Sequence, residues 1–139
     1  IAAPKAVGAK EGLLIVGWGS TYGILSEVVE DLFVSGHKIA HCHLDMLNPI
    51  SECLDQILPE YDRVLVCEQN CGQLVQHLNA IFRNCEIDAY LSYNTESFSA
   101  EELREEFLFN LDELEVMRQN FDALTNGINI YDKKDELLS

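Results

Sequence analysis

Gly12 to Trp18 reads G-L-L-I-V-G-W, and Gly17 to Gly23 carries the chain onward as G-W-G-S-T-Y-G. A run without a polar residue from Leu13 to Val16 suits a strand buried on both faces, and such strands belong to parallel sheets covered by helices. The glycines that follow permit a close turn, and Ser20 or Thr21 can cap the helix behind it. That helix is expected to carry Ile24, Val28, Leu32 and Phe33 at helical spacing, with Gly36 placed to end it. Strand, tight turn and helix are therefore the opening unit.

The unit repeats on either side of the next strands. Lys38 to Leu44 is strand-like, Ser51 to Leu58 behind Pro49 is a short helix candidate, and Asp62 to Glu68 (D-R-V-L-V-C-E) is a second strongly apolar strand. Gly72 to Phe82 follows as a helix with Leu74, Leu78, Ile81 and Phe82 on one face, and Ile87 to Leu91 is a short strand. Alternation of this kind predicts the α/β class: an open, mostly parallel sheet in three layers, linked by right-handed crossovers. Residues 1–12, with Pro4 and Gly8, have the composition of a linker from a preceding domain; residues 13–98 form the α/β domain. Residues 99–139 read as an acidic helical extension and tail. Ser99 and Glu102 give it a capping box, and Leu103, Phe107, Leu111 and Leu114 give it a stripe. The stripe suits packing on this domain or on a neighbouring subunit, and the sequence leaves both open. From Thr125 onward, Asn126 and Gly127 predict a turn and a poorly anchored end.

With 139 residues, 47% of them apolar and 24% charged, the chain affords one core. No apolar run approaches the roughly 18 residues of a membrane-spanning helix, and the start at Ile1 has no secretory pattern, so a cytoplasmic fragment of a longer polypeptide is expected. A net charge of −15 argues against nucleic acid and anionic membrane as partners. The acidic cluster of Glu101, Glu102, Glu105, Glu106, Asp112, Glu113 and Glu115 reads as a solvated helix face or a surface for a basic partner. Five cysteines, Cys42, Cys53, Cys67, Cys71 and Cys85, are an odd set without C-x-x-C spacing, which supports neither a disulfide framework nor a usual zinc or iron-sulfur motif. Reduced thiols are expected, with a redox or metal role for Cys67 and Cys71 as the alternative.

Three stretches could carry chemistry. In G-W-G-S-T-Y-G, backbone N–H groups at a helix N-terminus can hold an anion, and Asp45 lies at the separation of a ribose-binding acid. Trp18 between the first glycines and a displaced third glycine favour plain turn-making. C-E-Q-N-C-G-Q-L at Cys67 to Leu74 sets Glu68, Asn70 and Gln73 at the carboxyl end of a central strand. Glu68 would need a second positioned group to be a general base, and hydrogen bonding across a domain or subunit boundary is the favoured reading. H-C-H at His41 to His43 puts both histidines on one strand face; zinc would need a third ligand, so structural histidines are expected. Ser20 has no assignable His and acid partners for a hydrolase triad.

Taken in order, G-W-G-S-T-Y-G, H-L-D-M-L-N-P at His43 to Pro49, E-Q-N-C-G-Q-L at Glu68 to Leu74 and S-F-S-A-E-E-L at Ser97 to Leu103 are a specific set. From Leu13 to Leu103 the chain resembles the alpha subunits of 2-oxoacid:ferredoxin oxidoreductases, nearest the 2-oxoglutarate branch. The resemblance implies a transketolase C-terminal-like domain that follows a thiamine-enzyme pyrimidine-type domain in the same subunit. It implies a complex that decarboxylates a 2-oxo acid on thiamine diphosphate, passes electrons through iron-sulfur clusters to ferredoxin and yields an acyl-CoA. Thiamine diphosphate and magnesium would then sit on the beta subunit, and this chain would be an assembly domain without catalytic, cofactor-binding or metal residues of its own. Family motif positions Gly17, Gly19, Ser20, Thr21, Gly23, Pro49, Glu68, Asn70, Gly72 and Gln73 would shape the sheet edge and the subunit contacts. Cys71, where the family often has a larger residue, and the acidic extension depart from the pattern. The alternatives are a nucleotide-binding α/β module and the C-terminal domain of a transketolase-like dehydrogenase beta subunit, which fits E-Q-N-C-G-Q-L less well.

Overall fold

The computed structural model describes residues 5–44, 54–69, 73–92 and 98–138. Strands β1 (Ala6–Gly8), β2 (Leu13–Trp18), β3 (Ile39–Leu44), β4 (Arg63–Gln69) and β5 (Ile87–Ser92) form one sheet in the order β1-β3-β2-β4-β5. β2 to β5 are parallel to one another, and β1 runs antiparallel to β3. The helices are α1 (Tyr22–Val34), α2 (Gln73–Ile81) and α3 (Ala100–Leu138). The mostly parallel three-layer sheet with a C-terminal helix is the architecture the alternating pattern predicts.

Strand alternation divides the core in two. Leu14, Val16, Ala40, Cys42, Val64 and Val66 face one side, where Leu54, Leu58, Leu74 and Leu78 cover them. Leu13, Ile15, Ile39, Leu65 and Cys67 face the other, beneath Leu25, Val28 and Leu32 of α1 and Leu103 and Phe107 of α3. Leu13 to Val16 are fully buried, the state that their unbroken apolar run requires. Truncating any of these leucines to alanine costs about 2–5 kcal/mol.

The details depart from the sequence reading in several places. Ala6–Gly8, inside the stretch read as linker, is an edge strand, fastened by Ala9 N–H donating to Ile39 O at 2.9 Å and Tyr61 O–H to Ala9 O at 2.8 Å. Three residues of A-V-G carry too little pattern to announce a strand. On α1 the buried stripe is Leu25, Val28, Val29 and Leu32, and Phe33 is exposed. Thr21 occupies the N-cap position without a side-chain cap: a 3-10 turn at Gly19–Thr21 keeps it in helical backbone, and its hydroxyl donates back to Trp18 O at 2.9 Å. The C-terminus closes as expected at Gly36, with Gly36 N–H to Phe33 O at 3.0 Å and His37 N–H to Leu32 O at 3.1 Å, the paired bonds of a Schellman motif.

The short helix expected at Ser51 to Leu58 lies partly outside the described residues; residues 55–57 form a turn that enters a 3-10 helix at Leu58–Glu60. α3 opens on Ser99, whose hydroxyl accepts from Glu102 N–H at 3.4 Å. It runs through Asn126 and Gly127, so the expected turn there does not form. Asn-Gly reverses a chain when strands flank it; inside a helix the glycine costs only about 1 kcal/mol. No described helix is long and apolar enough to cross a membrane.

Candidate functional site

From β2 the chain crosses to β3 on one side, and from β3 it returns past β2 to β4 on the other. This reversal is a topological switch point, and crevices outside the carboxyl ends of such strands are where open α/β sheets place their sites. Val16 is registered with Val66, so the carboxyl ends of β2 and β4 share one sheet border. The two motifs that the sequence singled out separately are thus neighbours.

On the β2 side, Gly17 is buried, and a Cβ there would run into Leu25 Cδ1 and lie 3.0 Å from Thr21 Oγ1. The missing side chain is what lets α1 lie close on the strand. Gly19 has φ +67°, the left-handed backbone that turns the chain into the 3-10 segment. Ser20, Tyr22 and Gly23 are exposed on this border. Gly23 is constrained by neither φ nor space, since a Cβ there meets nothing within 4 Å.

On the β4 side, Glu68 is only 2% exposed. Its Oε1 accepts from Leu74 N–H at 2.7 Å and its Oε2 from Val75 N–H at 3.0 Å. The carboxylate thus satisfies two of the free donors at the N-terminus of α2 and sits where the helix dipole favours a negative charge. An external anion has no access to donors already taken, and a carboxylate with both oxygens engaged is poorly placed as a general base. Its bonds lie inside the domain, whereas the sequence reading sent them across a boundary. Gln73 is the first residue of α2. Asp45, Pro49, Asn70, Cys71 and Gly72 lie outside the described residues.

His41 and His43 share a face, as strand alternation predicts, with Cys42 in the opposite core. Tyr22 of α1 completes the cluster, its ring centroid 5.8 Å from that of His41 and 5.1 Å from that of His43. They line a cavity of about 420 Å³ together with Lys5, Ser26 and Glu30. Burial, and then the neighbouring His43, depress the His41 pKa to about 4, so the ring is neutral at physiological pH. Among the described residues no group of three or more His, Cys, Asp or Glu side chains could hold a metal ion. Burial pushes the Cys67 thiol far up, which leaves it unreactive.

One residue of consequence escaped the sequence reading. Arg63, at the first position of β4, is almost fully buried at the opposite, amino border of the sheet. Its guanidinium donates to Asn110 Oδ1 at 3.0 Å and pairs with Glu86 at 3.2 Å, Glu113 at 3.6 Å and Asp88 at 3.7 Å. This hub ties α3 to β4 and β5. Its only signal in the sequence was a lone cation heading an apolar strand.

No family model matches the chain. Subunit KorA of 2-oxoglutarate oxidoreductase from Mycobacterium tuberculosis is 36% identical over 91 residues, which cover 66% of this chain and 14% of that relative. The chain therefore spans about one seventh of the curated relative it matches. Among solved structures, 2-oxoglutarate:ferredoxin oxidoreductase from Magnetococcus marinus, with 2-oxoglutarate, coenzyme A and succinyl-CoA bound, superposes with a TM-score of 0.70. That match is 21% identical and covers 80% of this chain and 20% of the other; at this identity it establishes a shared fold.

Proposed function

We propose, from the premise that this chain is a relative of 2-oxoacid:ferredoxin oxidoreductase subunits, that it is an assembly domain of such an alpha subunit and carries no chemistry itself. The similarity to KorA is the observation that carries the reading. The site supports it: the switch-point border is spent on turns and on a carboxylate satisfied from within, and it leaves Ser20, Tyr22 and Gly23 open for contact.

In this reading residues 13–98 form the transketolase C-terminal-like domain, behind a domain of the same subunit, and the border formed by Gly17 to Gly23 and Glu68 to Gln73 docks against that domain or the beta subunit. Pro49, Asn70 and Gly72 belong to the same contact set. The complex would decarboxylate a 2-oxo acid, 2-oxoglutarate being the best supported, to the acyl-CoA and reduce ferredoxin. Thiamine diphosphate would supply the carbanion-stabilising chemistry, with magnesium and iron-sulfur clusters to anchor it and to carry electrons. The resemblance to the family assigns these groups to other parts of the enzyme, the diphosphate and its magnesium to the beta subunit. The cytoplasm is the proposed compartment.

Co-expression of the full alpha subunit with its beta subunit tests this. Tyr22→Ala combined with Gly23→Gln should abolish co-purification and 2-oxoglutarate-dependent ferredoxin reduction, while the purified domain keeps its circular dichroism spectrum. Turnover by the present chain alone, or an unimpaired complex carrying the double substitution, would refute the proposal.

A further inference from the structure

The sheet is thinly covered beside β1. The three residues of that strand include Gly8, which has no side chain, and Val7, which is registered with His41 and is 70% exposed. α1 packs its buried stripe over β2 and β3 instead, on Leu13, Ile15 and Ile39. A trough therefore remains between the edge strands and the outer flank of α1, the cavity of about 420 Å³ that His41, His43 and Tyr22 line. Tyr22, Ser26, Glu30 and Phe33 step along its helical wall by four, four and three residues, and strand alternation gives Val7, His41 and His43 to the other wall.

Two features mark this trough as a ligand site. Outside α3, five large apolar side chains of the described residues are exposed, and four of them, Val7, Tyr22, Phe33 and Val34, line the trough. Scattered singly they would be ordinary; gathered around a concavity within the roughly 300–1,000 Å³ of small-molecule sites, they mark a binding surface. The second feature is His41, only 5% exposed, whose Nε2 has no hydrogen-bond partner among the described residues. A buried ring nitrogen gives up its water on folding, and a ligand group that bonds to it restores what was lost.

The lining selects the chemistry of the ligand. Four of the lining side chains are rings, and the Tyr22 phenol already rests against both imidazoles, edge-on to His43 at 5.1 Å. Aromatic guests suit such walls. Lys5 and Glu30, both exposed, balance the charge at the mouth, and the burial that holds His41 neutral disfavours an ion beside it. A neutral imidazole nitrogen donates or accepts according to its tautomer, and a hydroxyl answers either. We propose that the trough binds a small uncharged aromatic molecule bearing one hydroxyl, with its ring beside Tyr22 and Val7 and its hydroxyl on His41 Nε2. Nε2 itself has almost no free surface, so entry turns the Tyr22 ring aside; at 57% exposure that side chain has room to change rotamer.

Saturation-transfer NMR on the 139-residue chain tests this with p-cresol and with toluene, which has the same ring and lacks the hydroxyl. At equal millimolar concentrations both should bind, toluene about three- to ten-fold more weakly. His41→Phe should keep toluene binding and erase the preference for p-cresol. Val7→Trp, which fills the trough from its exposed edge, should abolish both signals. In the full alpha subunit, p-cresol binding should persist. Absence of binding, equal affinity for the two probes, a preference that survives His41→Phe or binding that survives Val7→Trp would overturn the proposal. So would exclusion of p-cresol from the full subunit, which would show that a side chain of a neighbouring domain fills the trough. None of these readouts depends on subunit assembly or on ferredoxin reduction.

Discussion

Arg63 at the start of β4 and Asn110 in the third turn of α3 are joined by a 3.0 Å hydrogen bond between two buried side chains, across 47 residues of sequence. Asn110 is in turn held by Nδ2 donating to the Glu106 carbonyl at 2.8 Å. This is the polar rivet that sets how the long helix lies on the sheet. Replacing Arg63 with alanine should cost about 1–3 kcal/mol in urea unfolding, less than a fully buried ion pair, because Glu86, Asp88 and Glu113 are each about half exposed and can rehydrate. Arg63→Met, which keeps the packing, should recover part of the loss.

Glu68→Gln should destabilise the domain by roughly 2 kcal/mol, because it removes the charge from the N-terminus of α2 and points an amide donor at the N–H groups of Leu74 or Val75. Hydrogen exchange should localise the change to the first turn of α2. Unchanged protection there would show that the carboxylate is not the cap.

Gly17→Ala and Gly23→Ala should differ in sign. The first drives a methyl into Leu25 and should lower the melting temperature; the second meets open space in a helix and should raise stability by up to about 1 kcal/mol. If Gly23 is kept small for a partner, the same Gly23→Ala should weaken subunit assembly, as read by co-purification yield.

His41 makes stability depend on pH. Its folded pKa of about 4 lies below the ordinary 6.5, so the unfolded chain binds the proton first and stability falls as pH drops from about 6.5 toward 4. A shift of that size corresponds to about 3 kcal/mol lost by pH 4. His41→Phe should flatten the slope of unfolding free energy between pH 6.5 and 4 relative to the parent chain, with the difference curve as the readout.

Much of this protein was set by local pattern. The unbroken apolar runs at Leu13 to Val16 and Val64 to Cys67, the glycines at 17, 19 and 36 and the capping Ser99 each state their role within a few neighbours, because strand alternation, helix periodicity and left-handed backbone are short-range properties. The ordered motifs likewise pointed to the relatives. What only the tertiary structure decided is pairing between distant residues: β1 as an edge strand against β3, Glu68 turned inward to cap α2, and Arg63 gripping α3. Each depends on which groups meet after the chain has crossed and recrossed the sheet. A buried charge or carboxylate looks the same in sequence whether its partner is nearby, far along the chain or on another subunit.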